Sequence, residues 1–97
     1  MNNKQALDAI YNNLKNGMIY ATWIENVRFP FYWWSLEYDY IAKVFRWRNA
    51  GESANKATKK ELLWIITVIF RMCPVDFVEK YDCLTVSEYN SGVKKEA

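Results

Sequence analysis

One segment narrows the folds open to this chain more than any other. Residues 59–72 carry Leu62, Leu63, Ile65, Ile66, Val68, Ile69, Phe70 and Met72, and their only polar stripe runs from Lys60 through Thr67 to Arg71, with Trp64 beside it. Thr58 and Glu61 stand at the spacing of a capping box, in which each side chain satisfies the other residue's free backbone N–H. A helix that is apolar on nearly every side has to be enclosed by other elements. The segment therefore predicts a central helix with the rest of the chain packed round it.

The flanking segments read mostly as helices too. Over 3–16, Ala6, Leu7, Ile10, Tyr11 and Leu14 share one helical face, Asn2 or Asn3 can cap the start, and Asn16-Gly17 makes a stop. Ser35 and Glu37 suit the start of a helix over 36–49. Its Tyr38, Ile41, Ala42 and Phe45 lie nearly opposite Leu36, Tyr40, Val44 and Trp47, with Asp39 and Lys43 paired on one flank. Such a two-sided helix is either sandwiched or offers one face to a partner. Pro74 fits the first turn of a short helix over 74–82.

Residues 18–34 admit two readings. Tyr20, Trp23, Ile24 and Val27 recur at helical spacing, yet the same residue types form strands, and Ile19–Ile24 could pair with Val27–Tyr32. Pro30 and the poor turn Glu25-Asn26 weigh towards helix. The expected fold is mainly all-α: four to five helices around 59–72, with a short hairpin in 18–34 as the variant. Residues 1–89 read as one domain and 90–97 as a flexible tail.

Ring content then conflicts with size. Five Trp, seven Tyr and five Phe share 97 residues. Each ring can bury ~150–250 Å², more in sum than so small an interior hides. Some are expected outside, where Trp, Tyr and Arg dominate binding surfaces. Basic residues outnumber acids between Arg28 and Arg71, and the reverse holds from Asp76 onward, a distribution that suits an anionic partner and equally suits solvated helix faces. The expected partner-binding set is Trp33, Trp34, Tyr40, Lys43, Val44, Arg46, Trp47 and Arg48. The loop over 50–60 adds an anion cradle of Ser53, Asn55, Lys56 and Lys60 ahead of a helix start.

Catalytic apparatus is scarce. The chain has no His, no CxxC and only three Gly, which removes the commonest acid–base group and the usual phosphate loops. Glu37 and Asp39 diverge on a helix, Asp76 and Glu79 share a face as many exposed acids do, and Cys73 and Cys83 lack a neighbouring base. Neither metal nor cofactor is expected. A helix-turn-helix is disfavoured by the long linker from Ala50 to Thr58. The start leads directly into a polar amphipathic segment, and the run Leu62 to Phe70 is too short to span a bilayer, so a cytoplasmic protein off the membrane is expected.

The function expected is a non-enzymatic interaction protein that binds and inhibits or regulates a macromolecular partner, a protein first of all, with a homodimer as the self-partnered form. Short compact chains of this kind are common in phages and mobile elements, which adds bacterial defence or anti-defence as an expected setting. The alternative is a small binder of nucleotides or single-stranded nucleic acid that sequesters its ligand with the 50–60 loop, Arg46 and Arg48.

Overall fold

A computed structural model describes residues 1–25, 30–47 and 52–94. It corrects the all-helical expectation: the centre of the molecule is a four-stranded antiparallel sheet of order β3-β2-β1-β4. The elements run α1 (Asn3–Lys15), β1 (Ile19–Ile24), β2 (Phe31–Asp39), β3 (Val44–Trp47), α2 (Lys59–Trp64), a π-helical segment (Ile65–Ile69), α3 (Pro74–Lys80), β4 (Asp82–Leu84) and α4 (Val86–Ser91).

Helix α1 forms as its periodicity requires. Asn2 accepts from the Gln5 N–H at 2.8 Å, Gln5 accepts from the Asn2 N–H at 3.0 Å, and Ala6, Ile10 and Leu14 are buried. Gly17 then takes φ +88° and turns the chain into β1. The described residues of 18–34 are therefore not a helix, and the first strand of the hairpin variant, Ile19–Ile24, is β1 itself. Its partner strand is Phe31–Asp39. Val27, within the second strand of that variant, lies outside the described residues.

The two-sided helix over 36–49 is replaced by the end of β2, a turn, and β3. Alternation explains the difference: Leu36 and Tyr38 face the helices, and Glu37 and Asp39 face away, a period of two that a helical projection spreads over two opposite sides. Asp39 stops the strand. Its carboxylate accepts the N–H groups of Ile41 and Ala42, each at 2.9 Å, and its carbonyl accepts Lys43 N–H at 2.7 Å, with Lys43 at φ +58°. The acid expected to pair with Lys43 instead crosses the hairpin to Arg46 at 2.6 Å.

A bulge in β2 divides the core. Tyr20 and Ala21 oppose Leu36 and Ser35, whereas Trp23 and Ile24 oppose Tyr32 and Phe31, so Trp33 and Trp34 together stand against Thr22. Tyr32 thereby joins Ala21 and Leu84 on one face of the sheet, with Trp23 and Tyr89 beside them, while Trp34 and Leu36 serve the other. The larger face is covered by α1, α2, the π segment and α3. Ile10, Leu14, Leu62, Ile65, Ile66 and Phe77 meet Tyr20, Leu36, Phe45 and Trp47 there. Helix α4 lies against β1 and β4 on the smaller face, which Tyr89 helps to close.

The segment over 59–72 is helical but not central. Thr58 caps it by accepting the Glu61 N–H at 3.1 Å. The sheet already fills the middle, so this element covers one face only. It buries Leu62, Ile65, Ile66 and Phe70 and leaves Leu63, Trp64 and Val68 exposed. Among the described residues, no helix is long and apolar enough to cross a membrane.

Candidate functional site

The expected partner-binding residues lie on one hairpin and not on one helix. Trp33 is exposed at the bulge. Trp34 is half-buried, edge-on to Phe70 with ring centroids 6.0 Å apart. Tyr40 donates its hydroxyl to the Lys15 carbonyl and packs edge-on to Tyr38 at 4.7 Å, while Lys43 is exposed in the turn. Val44 and Arg46 are half-buried, and Arg46 is engaged with Asp39. Trp47 is buried: its indole N–H donates to the Glu52 carboxylate at 2.5 Å and its ring meets Trp64 at 6.4 Å. Arg48 lies outside the described residues. Strand alternation sends Trp47 to the helix side and Arg46 to the other, so these side chains do not form one patch.

The cradle over 50–60 is partly assembled. Ser53 pairs its backbone with Arg46, and Ala54 N–H donates to the Phe45 carbonyl at 2.8 Å, extending the sheet edge. Asn55, Lys56 and Lys60 line a shallow cleft of about 470 Å³ together with Thr58 and Glu61. The Glu61 carboxylate accepts Asn55 N–H at 3.4 Å inside that cleft. A fixed negative charge there opposes an anion.

A second cleft, of about 400 Å³, opens where the π segment ends, between Trp34, Ile69, Phe70, Arg71, Met72, Lys80 and Tyr81. Its shape follows from the backbone. Phe70 N–H donates to the Ile65 carbonyl at 3.0 Å, five residues back, and Met72 N–H reaches the Ile66 carbonyl at 3.2 Å. The widened turn, a form often found at functional sites, brings Phe70 inward. Its ring stands edge-on to Phe77 and Tyr81, 5.3 Å from each, and those two stack at 4.4 Å. Arg71 then adopts φ +56°, a left-handed conformation that non-glycine residues rarely take. Cys73 and Pro74 start α3, whose end presents Lys80.

The electrostatics of this cleft are one-sided. The side chains of Arg71 and Lys80 are exposed and make no ion pair or hydrogen bond with the described residues, and no carboxylate lines the walls. Burial pushes the Tyr81 phenol up to about 12, so it stays a neutral donor, and its hydroxyl is unengaged among the described residues. Arrangements of this kind, with aromatic walls and a few convergent polar groups, are what small-molecule sites look like.

The chain matches no protein-family model, no curated protein and no solved structure. Geometry alone therefore carries the functional reading. Among the described residues, no three His, Cys, Asp or Glu side chains come together as metal ligands would.

Beside the cleft, Leu63, Trp64 and Val68 are 39%, 45% and 50% exposed on successive turns. Thr67 sits among them and donates its hydroxyl to the Leu63 carbonyl at 2.8 Å, consuming the polar group of that face within the helix. Sequence reasoning misses these residues because a segment apolar on nearly every side implies enclosure. The available signal is the stripe of Lys60, Thr67 and Arg71, which marks the solvent side, with Trp64 beside it.

Proposed function

We propose that this chain is a non-enzymatic interaction protein that holds and regulates a protein partner on the outer face of α2 and the π segment. The observation that carries this reading is the side-by-side exposure of Leu63, Trp64 and Val68. Neighbouring exposed apolar side chains are the raw material of a binding surface, and Trp is among the residues that dominate binding energy. Preorganisation supports the same reading. Trp64 rests on the buried ring of Trp47, which Glu52 holds through the indole N–H, so little side-chain freedom remains to be lost on docking. Lys60 at the start of the stripe suits an acidic residue at the rim of the partner's surface.

The test is site-specific photocrosslinking in cells that naturally produce the protein. A photoreactive residue at Val68 should capture one defined protein, whereas the same probe at Asn12, on the exposed polar side of α1, should not. Adding Leu63→Ser and Trp64→Ser should remove that adduct while the circular dichroism spectrum stays native. Equal labelling from positions 68 and 12 would end the proposal. An adduct between two copies of the chain would replace the foreign partner with a homodimer.

A further inference from the structure

We propose that the cleft bounded by Trp34, Phe70 and Tyr81 binds a nucleoside monophosphate, either free or as the phosphorylated end of a single strand, with its phosphate on Arg71 and Lys80. This site is independent of the docking face and does not rest on it. Four observations converge on it. The volume of about 400 Å³ falls within the range of small-ligand sites, ~300–1,000 Å³. The walls are rings, and Trp34 is only half covered by its edge contact with Phe70, leaving surface for a flat heterocycle to pack against. The charge is all of one sign, from two elements that converge on one rim, and both cations lack partners among the described residues. A guanidinium fork can take two phosphate oxygens at once, and an ammonium serves as a second point charge.

The fourth observation is the backbone at Arg71. A left-handed residue at the end of a helix is normally Gly or Asn, since any side chain with a Cβ is strained there. Arg71 takes φ +56° nonetheless. Strain of this kind clusters at ligand-binding sites. The competing cleft around Lys56 and Lys60 contains the Glu61 carboxylate, and the cleft at Arg71 contains no acid.

The experiment is isothermal titration calorimetry with AMP, GMP, CMP and UMP. The four corresponding nucleosides, inorganic phosphate and a 5′-phosphorylated oligonucleotide are the comparison ligands. At least one monophosphate should bind about tenfold or more tightly than its nucleoside or phosphate alone, because either fragment forfeits half of the contacts. Binding of the oligonucleotide, with loss when its 5′ phosphate is removed, would identify the strand end as the source. Arg71→Gly should raise the melting temperature and still cost at least tenfold in affinity. Trp34→Leu, which keeps an apolar contact with Phe70, should also weaken binding, whereas Lys56→Ala should not. Silence from every monophosphate and from the oligonucleotide would overturn the assignment. So would full affinity in Arg71→Gly, or loss of binding in Lys56→Ala.

Discussion

Asp39 and Glu37 stand two residues apart on one strand and titrate in opposite senses. Asp39 accepts the Ala42 N–H, the Arg46 guanidinium and the Ile41 N–H, which hold its carboxyl below the ordinary range. Glu37 is pushed up, first by desolvation and then by the neighbouring Asp39 charge, against the pull of Arg46. Folded Glu37 therefore binds its proton more readily than the unfolded chain does, and its contribution to stability grows as pH falls from neutrality to the usual glutamate value of about 4.3. Asp39 behaves in reverse: its contribution is present above the unfolded value and is lost as pH drops through the lower folded one. Thermal melts across pH 7 to 2 should show stability rising slightly and then falling, and Glu37→Gln should remove the rise alone. Two further residues, Lys43 and Arg71, hold positive φ without being glycine. Glycine at either position should stabilise the fold by up to about 1 kcal/mol, a gain of roughly 4–8 °C in a domain of this size. A lower melting temperature in Arg71→Gly would show that its side chain supports the fold.

At the scale of elements, local signals with short reach were legible and pairings were not. The caps at Asn2 and Thr58, the stop at Gly17 and the start at Pro74 all act within a few residues, so α1 and α3 could be located from sequence. Thr85 and Glu88 repeat the capping-box spacing and do begin α4, a signal present in the sequence and passed over. The strands were hidden for different reasons. β4 has three residues, too few for a period, and β2 changes phase at its bulge, so its alternation breaks where the Trp pair sits. The two capping threonines also separate global from local stability. Thr58 anchors an element with Leu62, Ile65 and Ile66 in the main core, whereas α4 buries none of its own residues. Thr58→Ala should lower global stability by about 1 kcal/mol in denaturant melts. Thr85→Ala should mainly speed amide hydrogen exchange within 86–91. If exchange accelerated across the whole sheet, α4 would belong to the same cooperative unit.

For the whole molecule, the conflict between ring content and size is resolved by division. Phe45, Phe77, Tyr20 and Trp47 fill the main core, and Trp33, Tyr40 and Trp64 reach solvent. The sequence stated that surplus but could not assign it, because facing in or out depends on which strand pairs with which. The cleft at Arg71 was illegible for the same reason: Trp34 stands on β2, far in the chain from Phe70 and Tyr81, and joins them only once the helices pack on the sheet. Replacing Leu63 and Trp64 together by Ser should shorten retention on a hydrophobic interaction column and leave the near-ultraviolet signal of the core largely intact. Phe70→Ala, by contrast, should cost about 3–5 kcal/mol in denaturant titrations, because its ring touches Trp34, Phe77 and Tyr81 at once.

The phase change in β2 has a consequence for how such a chain can vary. Tyr32 and Trp34 serve opposite sides of one sheet because two residues stand against Thr22, so removing either member of the Trp33-Trp34 pair would turn the bulge into regular strand and leave Tyr32 and Leu36 on the sides they already occupy. Removing both would bring Tyr32 against Thr22 and exchange the sides for everything that precedes it in the strand. Descendants of this chain should therefore survive the loss of one residue from this pair, but not of two.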